Sequence, residues 1–173
     1  MDKFKKWFDR DFDLDIPLWM FPNLVERLRG TPARAKDRSE LLPAEILTRR
    51  YEDAWSIQEN IGHLLDVEPL WSGRLDDFES GKEVLRPAEL KNRKTQKANH
   101  NEGSIKEILL MFRESRNNIV RRIESYNEDF ILRPCLHPRL NKPMNVLGLM
   151  LFIAEHDDHH LALVSQVLKN SAM

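Results

Sequence analysis

The sequence predicts an all-α protein, a four-helix bundle with long crossover connections. Three observations carry this. Apolar residues recur at three- and four-residue spacing in four separate stretches. The alternation that marks strands is scarce. Two long connections separate the periodic stretches, one crowded with charge and one broken by prolines. The 173 residues suit one domain, 1–173, long enough to bury a core without cross-links.

The first helix is expected from about Pro17 to Arg29, with Leu18, Phe21, Leu24, Val25 and Leu28 on one side. Pro17 suits a first turn, Pro22 is absorbed or kinks it, and Gly30-Thr31-Pro32 reads as a stop. A short helix follows from about Pro43 to Arg50. The second long helix opens at Ser56, because Ser56-Ile57-Gln58-Glu59 has the form of a capping box. It carries Ile57, Ile61, Leu64, Leu65 and Trp71 to about Phe78, with a kink expected at Pro69. Glu79 to Gly103 reads as a solvated loop around the run Lys91-Asn92-Arg93-Lys94. A second capping box, Ser104 to Glu107, opens the third helix, with Ile108, Met111, Phe112, Ile119 and Ile123 on its stripe. Tyr126 to Pro143 holds Pro134, Pro138 and Pro143 and cannot be one helix. The fourth helix is expected from about Asn145, a plausible cap, to Leu168.

The chemistry concentrates in the fourth helix. His156 and His160 are four residues apart, so their rings share one face and can reach one ion. Leu149, Phe152, Ile153, Leu163, Val164 and Val167 share that stripe, so the pair points into the core. Buried imidazoles need partners, and a metal would supply them. The best third ligand is His63, at the border of the second-helix stripe, with Gly62 leaving room beside it. On spacing alone, a metal site and satisfied core histidines remain equal alternatives.

Among the other histidines, His159 borders the stripe and reads as a support for a ligand or a partner of Asp158 or Glu155. His100 and His137 read as loop histidines, His137 with a second reading at a pocket mouth. Glu59 could orient His63 or act as a base, but its capping role already explains it. Asp66 could accept the second N–H of His63 or face water, and Asp157 and Asp158 read as exposed. The catalytic assignment therefore stays open, with Glu59 and His159 as candidates.

Charge and cysteine content narrow the function. Lys and Arg number 27 against 28 Asp and Glu, a formal net charge of -1, which disfavours nucleic acid and anionic membranes as partners. A single cysteine, Cys135, cannot form an internal disulfide. It reads as a small, half-buried residue near a turn, with His137 close enough to keep a nucleophile reading open. No apolar run is long enough for a membrane span, and the N-terminus lacks the apolar core of a secretion signal, so a cytoplasmic location is expected.

Trp55-Ser-Ile-Gln-Glu-Asn-Ile-Gly-His63-Leu-Leu-Asp-Val-Glu68, His156-Asp-Asp-His-His160-Leu-Ala-Leu-Val164 and Arg27-Leu-Arg-Gly-Thr-Pro32 resemble motifs of the DinB-like superfamily of metal-dependent hydrolases and thiol transferases. The resemblance is weakest over residues 79–103. It implies a four-helix bundle with long crossovers, often dimeric. It also implies one divalent metal ion per chain, zinc or nickel foremost, on His63, His156 and His160. The activity implied is hydrolysis or S-transfer on a small molecule, with a low-molecular-weight thiol as a partner in some members. The alternative is a non-catalytic metal-binding or structural bundle.

Overall fold

The computed structural model describes residues 5–171. The reading of the first four residues as lacking a secretion signal lies outside that range. Four long helices dominate: α1 (Phe21–Ser39), α3 (Ile57–Glu79), α5 (Ile105–Glu124) and α7 (Val146–Ser171). Short helices α2 (Ala44–Leu47), α4 (Arg93–Ala98) and α6 (Glu128–Ile131) sit in the connections. The strands β1 (Cys135–His137) and β2 (Lys142–Met144) form an antiparallel ribbon before α7. No described helix is long and apolar enough to cross a membrane.

Around the bundle, α1 packs on α5 and α7, and α3 packs on the same two. The core has two apolar clusters. One is built from Leu24 and Leu28 of α1, Leu75 and Phe78 of α3, Ile119 and Ile123 of α5, and Leu149 and Ile153 of α7. The other takes Ala35, Ile57, Ile61, Ile108, Phe112, Leu161 and Val164. Helices α1 and α7 therefore run from the first cluster to the second, and α3 and α5 run back. Because α3 and α5 are parallel neighbours, the segment between them must return the length of a helix, about 35 Å for 23 residues. The charged stretch is that crossover. Its start pairs with β1, Leu85 N donating to Leu136 O at 3.0 Å. Its later part lies along α3 and brings α4 against it.

Helix α1 does not stop at Gly30. It runs ten residues past the expected Arg29, straight through Pro32. Proline removes the N–H that would bond the carbonyl of Leu28. Arg116 of α5 fills the gap, donating to Leu28 O at 3.3 Å. Helix α3 likewise continues through Pro69.

Local signals fared unequally. The Ser56–Glu59 capping box forms in both directions. At Ser104 the hydroxyl accepts from Glu107 N, at 3.5 Å, without the reciprocal bond. Asn145 caps α7 through Gly148 N at 2.9 Å. Met111, expected on the α5 stripe, is 56% exposed, and Leu109 turns inward instead.

Between the apolar clusters lies a buried ionic layer. Arg116 Nη2 donates to Glu68 Oε1 at 2.6 Å and to Asp157 Oδ1 at 3.1 Å. All three side chains are fully buried. Asp157 is therefore a core residue, contrary to its exposed reading. Asp158 is half-buried, held by Arg27 and Arg34. Burial pushes the Glu68 carboxyl up to about 7, against the pull of Arg116. With its bond to Leu28, Arg116 ties all four long helices together.

Candidate metal centre and its pocket

Beside that ionic layer, α3 and α7 present His63, His156 and His160 to one another. One ring nitrogen from each lies within 4.8 Å of the other two, and all three residues are buried. The ring pairs are 4.6 to 5.3 Å apart between centroids. The one-helix spacing of His156 and His160 brings those two together. The packing of α3 on α7 brings the third.

Two of the rings are oriented by polar partners. His160 Nδ1 meets Asn60 Oδ1 at 2.9 Å. The Asn60 amide nitrogen is already committed to the carbonyls of Trp55 and Ser56, so its oxygen faces the ring and accepts. His63 Nδ1 meets Thr95 Oγ1 of α4 at 2.9 Å. Thr95 in turn hydrogen bonds to Asp66, so its hydroxyl accepts from His63 and donates to the carboxylate. Both rings therefore carry their proton on Nδ1 and keep the Nε2 lone pair free. His156 makes no hydrogen bond among the described residues, and its Nδ1 is sealed from solvent.

Electrostatics keep the cluster neutral. Burial lowers His63 to about 4, with His100 and His159 adding to the shift and Asp66 opposing it. Burial and the neighbouring rings push His156 and His160 well below the usual range. Three neutral imidazoles, two held by acceptors and one with an orphaned buried nitrogen, make a donor set that fits zinc, nickel or a related divalent ion.

The structure moves several other expectations. His100 is buried rather than solvated. Its ring lies against Gly62, and its Nε2 donates to Asp66 Oδ2 at 2.7 Å. The room beside Gly62 is thus taken by His100, and Asp66 serves His100 and Thr95 rather than His63 directly. Burial favours the neutral Asp66 carboxyl, but those two hydrogen bonds hold it below the usual carboxylate range. Glu59 stays in its cap, accepting from Ser56 N at 2.9 Å and pairing with Arg50. His159 meets Arg10 Nη2 at 3.0 Å. Arginine only donates, so His159 Nδ1 accepts and its proton sits on Nε2. Cys135 is buried, with Sγ against Lys82 O at 3.1 Å, and burial raises its thiol pKa.

The cluster opens into a cavity of about 440 Å³. Trp7, Trp71 and Phe152 form its apolar wall, and Pro87, Ala88, Glu89, Leu90 and Asn92 of the crossover line it as well. His137 lines this cavity from β1 and is 1% exposed, which selects its pocket reading over the loop one. Arg74 and Arg139 also line it, and sequence reasoning missed both. Arg74 carried a signal: it neighbours Gly73 and Leu75 on the turn after Trp71, where a long cation has core on both sides.

A helical bundle whose two facing helices converge three neutral histidines on one pocket defines a class of proteins built around one small polar centre. The chain belongs to the DinB superfamily, which matches residues 27–164. Solved structures agree in fold. One is YfiT from Bacillus subtilis, described as a probable metal-dependent hydrolase with an unusual four-helix bundle topology. It shares 16% identity over 94% of each chain, with a TM-score of 0.75. A mycothiol-dependent maleylpyruvate isomerase shares 11% identity, with a TM-score of 0.66, over 86% of this chain and 60% of its own. An uncharacterized protein from Clostridium difficile 630 shares 14% identity over 86% of this chain and 95% of its own, with a TM-score of 0.67. No curated protein matches by sequence.

Proposed function

We propose that this chain is a divalent-metal-dependent enzyme acting on a small molecule, with His63, His156 and His160 holding one ion. The observation that carries this is the convergence of three buried, neutral imidazoles on one cavity. Bound there, zinc or nickel would supply a Lewis acid able to bring water near pKa ~7 or hold a thiol as its thiolate. The rest is work for the chain. Asn60 and Thr95 hold the Nδ1 protons of His160 and His63, leaving the Nε2 lone pairs as ligands. Trp7, Trp71 and Phe152 give the pocket an apolar wall. His159 offers a hydrogen bond from Nε2 rather than a base, because its Nδ1 is occupied by Arg10. Glu59 is engaged by its cap and by Arg50.

The nucleophile then comes from outside the chain, as water or a low-molecular-weight thiol, making the enzyme a hydrolase or a thiol transferase. A homodimer as the working form rests on the family resemblance, and a cytoplasmic location on the single cysteine and the sequence pattern. Elemental analysis and thiol titration of the cobalt-loaded protein test the proposal together. About one metal per chain is expected, lost in His63→Ala, His156→Ala and His160→Ala, with a thiolate charge-transfer band on adding thiol. Full occupancy in all three variants would remove the site. A loaded centre that neither thiol nor anion perturbs would leave a non-catalytic bundle.

A further inference from the structure

Five buried side-chain polar atoms lack a hydrogen-bond partner among the described residues: Trp71 Nε1, Arg74 Nη1, His137 Nε2, Arg139 Nη2 and His156 Nδ1. All five residues line the same cavity. His156 belongs to the metal cluster. The other four are donors. Tryptophan and arginine nitrogens only donate. His137 Nδ1 accepts from Leu140 N at 3.2 Å, so the proton of the neutral ring sits on Nε2. Burial, with the positive charges of Arg74 and Arg139 acting in the same direction, lowers His137 to about 4.

Buried donors without acceptors are costly, and two guanidiniums sharing a pocket add repulsion. Nearby carboxylates supply none of the missing hydrogen bonds, although the charge of Asp77 offsets part of the burial of Arg74. Asp77 is occupied by Lys82 and Arg86. Glu89, on the exposed rim, accepts from the amides of Lys91 and Arg93. The donors are also held in place: the Arg74 guanidinium lies 5.4 Å from the Trp71 ring centroid, and that of Arg139 lies 5.2 Å from Phe8.

The geometry points to a second subsite in this cavity, in which Trp71, Arg74, His137 and Arg139 bind the carboxylate of an organic acid whose apolar body lies against Trp7 and Phe152. Arginine suits the group, because its planar fork matches the two oxygens of a carboxylate. A cavity of about 440 Å³ holds a small organic acid with the three histidines on the same wall. As a substrate-holding site it rests on the metal-enzyme reading, while the binding itself needs no metal.

Calorimetry with 3-phenylpropionate and its neutral amide tests it, on the purified chain and on its chelated form. The acid should bind about 10-fold more tightly than the amide in both. Arg139→Met should remove that preference while leaving the amide unchanged, and Arg74→Met should do the same. Trp71→Phe, which removes the indole N–H together with part of the ring, should weaken the acid about fivefold more than the amide and covers the case in which Arg74→Met does not fold. Equal binding of acid and amide overturns the subsite, as does inorganic phosphate binding as tightly as the acid. So does a preference that survives both arginine substitutions. A preference lost on chelation or in His63→Ala would put the carboxylate on the metal, sinking the subsite and leaving the metal reading intact. A chain that never takes metal but keeps the arginine-dependent preference does the reverse.

Discussion

The guanidinium of Arg116 donates to the carbonyl of Leu28, the one acceptor that Pro32 strips of its helical donor. One side chain from α5 thus lets α1 continue through a proline. The same group donates to both Glu68 and Asp157 beside the histidine cluster. Asp157 follows His156 directly, so the ionic layer also fixes the turn of α7 that carries the candidate ligands.

Arg116→Leu should therefore be among the most damaging single substitutions. It leaves two carboxylates buried without their cation, a loss of about 3–5 kcal/mol. Urea unfolding measures it. A loss below about 1 kcal/mol would show that the layer does not hold the helices together.

Thr95→Val keeps the shape of the residue and deletes the hydroxyl between His63 and Asp66. Metal affinity should fall about 10- to 100-fold, the usual effect of losing a hydrogen bond to a ligand. Competition against a calibrated chelator reads this. An unchanged affinity would mean that Thr95 plays no part in orienting His63.

Gly62 should resist substitution for a specific reason. A Cβ there would meet the His100 ring at 2.3 Å. The crowding should cost about 1–3 kcal/mol, against a gain of up to ~1 kcal/mol in helix propensity. In a His100→Ala background the obstruction is gone, and Gly62→Ala should become neutral or stabilising. Destabilisation of equal size in both backgrounds would refute the contact.

The metal-free chain should lose stability on acidification between pH 6.5 and about 4. His63 and His137 are both lowered from 6.5 to about 4 by burial. In that window the unfolded chain binds protons that the folded chain refuses, so stability falls as pH falls. Glu68, raised to about 7, works the other way but is a single group. Thermal melts across this range should show a falling Tm. A flat or rising Tm on acidification would contradict the burial of these rings.

Much was legible in the sequence because it is local. Helical periodicity follows from 3.6 residues per turn, and a capping residue acts within three positions of itself. This is why α3 and α7 begin within a residue of where their caps place them, and why His156 and His160 were found as a pair. Arg116 and Glu68 went unread and Asp157 was read as exposed, although each occupies a core spacing on its stripe, between Phe112 and Ile119, Leu64 and Trp71, and Ile153 and His160. Which charge meets which depends on how four helices are ordered around an axis, and no local pattern encodes that. The same reason explains α1. Pro32 is a stop signal by the chemistry of its own turn, and only a donor 88 residues from Leu28 cancels it. It also explains the crossover, whose composition says solvated loop. The parallel run of α3 and α5 lays it across the pocket, placing Thr95 on His63 and His100 on Gly62. Local chemistry chose the helices and two of the three rings; the tertiary packing chose their partners, because those partners are distant in sequence and near only once the bundle has closed.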